Sequence, residues 1–96
     1  MHVVAFFTDK PNSLALRLAT RPAHLEYAQN SKAVRIGGPY LGPDGENSAG
    51  GMVVLETDTI EQARAWLDED PYVIAGLYES IILRPFRFVI GNPAAK

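Results

Sequence analysis

The chain has no cysteine among its 96 residues. Disulfides, thiolate metal sites and a thiol nucleophile are therefore excluded. The lack of cysteine fits a reducing compartment, and residues 1–25 carry no basic start, continuous apolar run or small-residue cleavage site, so the expected location is cytoplasmic. Long hydrophobic runs are missing as well. Segments such as Met52-Val53-Val54-Leu55 and Ile81-Ile82-Leu83 fall far short of the roughly 20 residues that cross a bilayer, so a membrane is not an expected partner. Positive charge is scarce and scattered: nine Lys and Arg stand against eleven Asp and Glu, for a formal charge of −2. Without a basic stripe to neutralise phosphates, nucleic acid is not an expected partner either. There are only two histidines, and no Gly-x-Gly-x-x-Gly, Walker loop or His-Glu-x-x-His. No metal site and no cofactor are expected on these grounds.

What is present fits one domain, residues 1–96, with its core at about 2–89. His2 to Thr8 is β-branched and aromatic and stops at the turn cluster Asp9-Lys10-Pro11-Asn12, which predicts a first strand. Asn12 is the expected cap of a helix interrupted at Thr20-Arg21-Pro22, restarting there and running to about Ser31. Lys32 to Pro39 reads as a second strand with Val34, Ile36 and Gly38 on one side, and residues 40–50 as an irregular loop. Met52 to Thr57 is a third strand, and Asp58-Thr59-Ile60-Glu61 has capping-box spacing for a second helix ending near Asp68-Glu69-Asp70. Tyr72 to Gly76 reads as a short turn or helical piece. Tyr78 to about Val89 is the last strand, with Pro85 implying a bulge or an edge.

The order strand, helix, strand, strand, helix, strand predicts an α+β, ferredoxin-like βαββαβ antiparallel sheet with both helices on one face. Yet residues of both parities in the strands are apolar: Val3, Ala5 and Phe7 against Val4 and Phe6, Val53 and Leu55 against Met52 and Val54, Ile81 and Leu83 against Ile82 and Phe86. A sheet wetted on one side alternates with polar residues instead. The expected cover for the second face is another copy of the chain, which makes a homodimer through the open sheet face.

The chemistry left is acid and base work. His24 and Arg21 sit three apart in one predicted helix and can face one site, while Asp70 closes the neighbouring helix. A contact between them would fix the imidazole tautomer and leave its other nitrogen free to move a proton. The spacing also allows an unpaired helical histidine and a simple turn acid. Arg17 and Arg21 suit a carboxylate, phenolate or phosphate, or are solvated helix charges. Gly38 and Pro39 offer a ligand close approach at a strand end with Tyr40 covering it, or serve only as turn residues. Gly42 to Gly51 could act as a lid but reads first as a hairpin connection. Tyr72, Tyr78 and Trp66 either line a pocket or fill the core. His2 reads as an edge-strand residue without a role.

Taken in order, Arg21-Pro22-Ala23-His24-Leu25-Glu26-Tyr27, Gly37-Gly38-Pro39, Ala63-Arg64-Ala65-Trp66-Leu67, Asp70-Pro71-Tyr72-Val73-Ile74-Ala75-Gly76-Leu77-Tyr78 and Arg84-Pro85-Phe86 resemble the YciI-like (YCII-related) family from about residue 2 to residue 89. The resemblance implies a ferredoxin-like protomer in a dimeric α/β-barrel assembly, similar in fold to muconolactone isomerase-type proteins. It also implies that His24 and Asp70 match the family's His–Asp pair. The family includes a dehydrochlorinase acting on chlorinated hydroxyhydroquinone without a cofactor. The implied activity is that of a lyase or isomerase on a small hydroxylated cyclic or aromatic compound. The alternative is a non-catalytic dimer that binds a small ligand or a protein.

Overall fold

In the computed structural model, which describes residues 1–91, the chain runs β1 (His2–Asp9), α1 (Leu14–Gln29), β2 (Val34–Leu41), β3 (Ser48–Glu56), α2 (Ile60–Asp68), α3 (Pro71–Ile74) and β4 (Tyr78–Phe86). The last five residues of the expected domain, 92–96, lie outside the described residues. The sheet has the order β2-β3-β1-β4 with every neighbouring pair antiparallel, which is the ferredoxin-like α+β fold. β4 lies at an edge, one of the two placements expected for a strand containing Pro85. His2, by contrast, is not on an edge: β1 is an inner strand, and His2 pairs with Glu56 on one side and Phe86 on the other.

Several boundaries differ from expectation for local reasons. Pro22 lies inside a continuous α1 rather than at a break, on an exposed side where water can satisfy the carbonyl that a proline leaves unpaired. Asn12 does not cap α1 but holds a left-handed φ of 59°, a conformation Asn tolerates, and Ser13 takes the cap position. In α2 the cap is Thr59, one residue later than the spacing suggested, with its side chain accepting from the Gln62 amide at 3.2 Å. Gln62 reaches back to accept from the Asp58 amide at 2.9 Å. Much of the expected loop at 40–50 is strand, leaving a short hairpin turn in which Asp44 accepts from the Glu46 and Asn47 amides. A bulge between Val34 and Ile36 also puts these two residues on opposite faces, Val34 opposite Leu55 and Ile36 opposite Val54.

On the helix side, Val3, Ala5, Phe7, Val53, Leu55 and Leu83 of the sheet pack against Ala63 and Leu67 of α2. α1 adds nothing to this buried cluster, and its one buried residue is Arg17. The opposite face carries Val4, Phe6, Ile36, Met52, Val54 and Ile82, with Phe6 45% and Ile82 48% exposed.

Gly50 shows how tightly β3 is threaded between these layers. A Cβ on it would strike the Phe7 carbonyl and the Tyr40 ring, whereas a Cβ on Gly38 would meet nothing within 4 Å. Gly50→Ala is expected to lower stability by about 3 kcal/mol, near the top of typical overpacking costs, while Gly38→Ala stays within about 0.5 kcal/mol of the parent. Urea denaturation of the two variants side by side measures both.

Candidate active site

Because α1 stays out of the apolar core, a cavity of about 610 Å³ remains between it and the sheet. Among the α1 residues that face this space, with Leu18, Leu25 and Ala28, are Arg17, Arg21 and His24, spaced four and three residues apart on one side of the helix. Polar bonds hold the helix there. The Arg17 guanidinium donates from Nε to Asp9 Oδ2 at 2.7 Å and from Nη2 to Asp9 Oδ1 at 2.9 Å, a bidentate pair, and from Nη2 also to the Gly50 carbonyl at 3.1 Å. Both side chains of the pair are more than 90% buried. Burial pulls the Arg17 pKa down, but the bonds and charge of Asp9 outweigh it and hold the guanidinium above its usual value.

About two turns further along α1, His24 Nδ1 lies 2.8 Å from Asp70 Oδ1. Asp70 is 1% exposed and caps α3, accepting the Tyr72 amide at 3.0 Å on the same oxygen. Pro71 occupies the first helical position, so the turn that presents Asp70 is set by local chemistry. A carboxylate at Asp70 can only accept, so Nδ1 of His24 carries the hydrogen and a neutral ring keeps Nε2 as an acceptor. The imidazole stacks on Tyr72 with centroids 4.1 Å apart and planes at 22°. Arg17 Cζ lies 4.8 Å from the centroid of the same Tyr72 ring. Asp70 Oδ2 is buried and has no partner among the described residues.

Of the residues singled out from sequence, His24, Asp70, Arg21, Arg17, Gly38, Pro39 and Tyr72 all line this cavity. Tyr40 does not. The pleat of β2 sends it to the opposite face, where its ring lies over Gly50 and its hydroxyl is 3.0 Å from Thr8 Oγ1. Arg17 is largely committed to Asp9 and Gly50, whereas Arg21 makes no ion pair among the described residues and is the cation available at the cavity wall. Of the Gly42–Gly51 segment, Ser48 and Gly51 reach the cavity, as parts of β3. Among the described residues no three His, Asp or Glu converge as metal ligands, and no helix is long and apolar enough to cross a membrane.

One participant escaped the sequence reading, and another was read without its cause. Asp9 looks like one more polar residue in a turn cluster, and nothing local marks it as the partner of Arg17 eight residues on. Tyr78 owes its place to a bulge between Thr8 and Asp9 in the β1–β4 register, which pairs Asp9 with Tyr78 and passes over Glu79. Burial pushes the phenols of Tyr72 and Tyr78 up; the Arg17 and Arg21 charges oppose this at Tyr72, while Asp70 adds to it at Tyr78.

The model of the YCII-related domain family matches residues 1–87. The protein YciI of Escherichia coli O6:H1 is 37% identical over 97 aligned positions, covering 93% of this chain and 99% of the relative. Among solved structures, the 5-chloro-2-hydroxyhydroquinone dehydrochlorinase of Burkholderia phenoliruptrix, in complex with 2,5-dihydroxybenzoquinone, superposes with a TM-score of 0.82 at 27% identity, over 91% of this chain and 94% of that one. SnoaB, a cofactor-independent oxygenase of Streptomyces nogalater, shares the fold alone, with a TM-score of 0.58 at 14% identity over 93% of this chain and 94% of that one.

The raised phenols give an alkaline signature. Folded Tyr78 keeps its proton above pH 10, where the unfolded chain gives it up. Its contribution to stability is therefore complete below the unfolded value and is lost as pH climbs through the folded one. Tyr78 is expected to steepen the fall in stability above pH 10 by about 1.4 kcal/mol per pH unit. Denaturant midpoints measured from pH 9 upward should therefore fall less steeply in Tyr78→Phe than in the parent.

Proposed function

We propose that this chain, which belongs to the YCII-related domain family, is an enzyme that moves a proton on a small hydroxylated cyclic or aromatic compound by lyase or isomerase chemistry, using His24 as base and Asp70 as its orienter. The observation that carries the proposal is the His24–Asp70 contact at the wall of a largely apolar cavity, with Nε2 of His24 left over. The dehydrochlorinase supports the substrate class, since it shares 27% of its sequence and nearly the whole fold with this chain.

His24 Nε2 takes a proton from the substrate, and the electron pair left behind moves into the ring. It either expels a leaving group such as halide, so that the acid leaves in total, or is reprotonated elsewhere by the same imidazolium. Neither course needs an oxidant or reductant. Asp70 holds the tautomer and balances the imidazolium charge. Arg21 anchors a negative substrate oxygen, and Gly38, Pro39 and Tyr72 shape the wall. Arg17 acts one layer out, pinning Tyr72 against His24.

The test is turnover of 5-chloro-2-hydroxyhydroquinone and related hydroxyquinols and lactones. His24→Ala is expected to cost about 10²–10⁴-fold in kcat, the usual span for a positioned base. Asp70→Asn is expected to lose the Nδ1–H tautomer in nitrogen-15 spectra of the imidazole. Ligands that bind equally well with and without His24, with no turnover in either protein, would favour the binding-module reading.

The same reading includes a homodimer. Phe6, Ile82 and Phe86 of the open face are 45%, 48% and 40% exposed, with Met52 beside Phe6 and the Val4–Arg84 pair between Ile82 and Phe86. A second copy placed sheet to sheet buries this patch about a two-fold axis. Light scattering at micromolar concentration should give twice the 10.5 kDa of one chain, and Phe6→Glu should return a folded monomer.

A further inference from the structure

We propose that the phenol of Tyr78 donates a hydrogen bond to the substrate oxygen on which negative charge collects when His24 removes a proton, so that the cavity is selective for phenolates and enolates. This rests on the reading of the cavity as an active site and adds a residue that the His–Asp pair does not require.

Without the bulge at Thr8 and Asp9, the alternation that puts Leu83 and Ile81 on the helix side would place Glu79 there too. With it, Glu79 is exposed and Tyr78 turns inward, stacking on Phe7 with centroids 4.5 Å apart at 16° and meeting Tyr72 edge-on at 5.9 Å. The turn before it is equally defined. Gly76 sits at φ +74°, and the Leu77 amide reaches the Tyr72 carbonyl at 3.1 Å while the Gly76 amide reaches Val73 at 3.0 Å, a Schellman ending to α3. The ring is thus clamped by its neighbours and lines the same cavity as His24.

What the clamp leaves free is the hydroxyl. Outside the cavity, Tyr27 donates to the Trp66 carbonyl at 2.6 Å and Tyr40 pairs with Thr8. Tyr78, though more enclosed, has no hydrogen-bond partner for its hydroxyl among the described residues. Burial and the Asp70 charge keep its proton in place, so it serves as a fixed donor and does not compete with His24 as a base. When His24 takes a proton, the electron pair left on the ring spreads to an oxygen. Tyr78 donates to that oxygen and keeps its own proton throughout. Such a bond strengthens as charge develops, which is the differential stabilisation that speeds a reaction.

The probe is 4-nitrophenolate, followed by its absorbance, with nitrobenzene as the match lacking the oxygen. Tyr78→Phe is expected to weaken 4-nitrophenolate about 10- to 100-fold, as for a hydrogen bond to a charged group, and to leave nitrobenzene unchanged. In the parent protein, binding of 4-nitrophenolate should shift the carbon-13 resonance of the Tyr78 Cζ, a readout that does not depend on the variant folding. Equal phenolate affinity in the two proteins, or a silent Cζ, overturns the assignment. If Arg21→Gln or His24→Ala weakens the phenolate while Tyr78→Phe does not, only this inference falls; if the parent binds no phenolate, the reading of the cavity falls with it.

Discussion

The bidentate pair between Arg17 and Asp9 is the contact on which the cavity depends. Two buried charges are costly to bring together, and an apolar pair of the same volume often serves stability as well or better. Here the pair does something that apolar packing does not. It ties α1 to the end of β1 by a rigid, directional fork and a third bond to the Gly50 carbonyl, while the helix contributes nothing to the buried apolar cluster. A helix seated by a leucine stripe would close down on the sheet. Held by Arg17 near its start, His24 in its middle and Tyr27 near its end, α1 stands off the sheet and leaves room between.

The same pair also reaches His24 through a short stack. Arg17 presses on Tyr72, and Tyr72 presses on His24. Tyr72 is itself fixed because its amide bonds to Asp70, the residue that holds the other side of the imidazole. One carboxylate oxygen therefore sets the start of α3, the orientation of Tyr72 and the tautomer of His24. Rigid elements and a locked second layer are what a positioned base requires, since small displacements cost rate.

Much of this was legible in sequence, and for physical reasons. Element order follows from β-branched runs and turn residues, and the two apolar parities of β1 and β3 correspond to the two faces of the sheet. Position along a helix is also readable, which is why Arg21 and His24 could be placed on one side. What could not be read is whatever depends on a break in local periodicity. The bulge near Val34 splits Val34 from Ile36, and the one at Asp9 exchanges Glu79 for Tyr78; both arise from the register between paired strands, which no single strand's sequence records. Asp9 was hidden for the same reason, because its partner comes from tertiary approach. Tyr40 was misplaced because β2 runs two residues further than its Gly-Gly-Pro punctuation suggests, so the pleat carries its ring across the sheet.

Gly50 is where the two faces meet. Its carbonyl accepts from Arg17 on the cavity side, and the space where its side chain would be is filled on the open side by the Tyr40 ring, whose hydroxyl bonds to Thr8. The backbone at this point can shift neither way without loosening one contact or the other. A sheet only one residue thick thus passes constraint from the exposed apolar face to the helix that carries His24. The closeness of Phe7, whose carbonyl crowds Gly50 and whose ring stacks on Tyr78, extends that constraint to the far wall of the cavity. The open-face ring of Tyr40 and the cavity-side guanidinium of Arg17 thus meet at the same few backbone atoms, and Arg17 in turn faces the ring against which His24 is stacked.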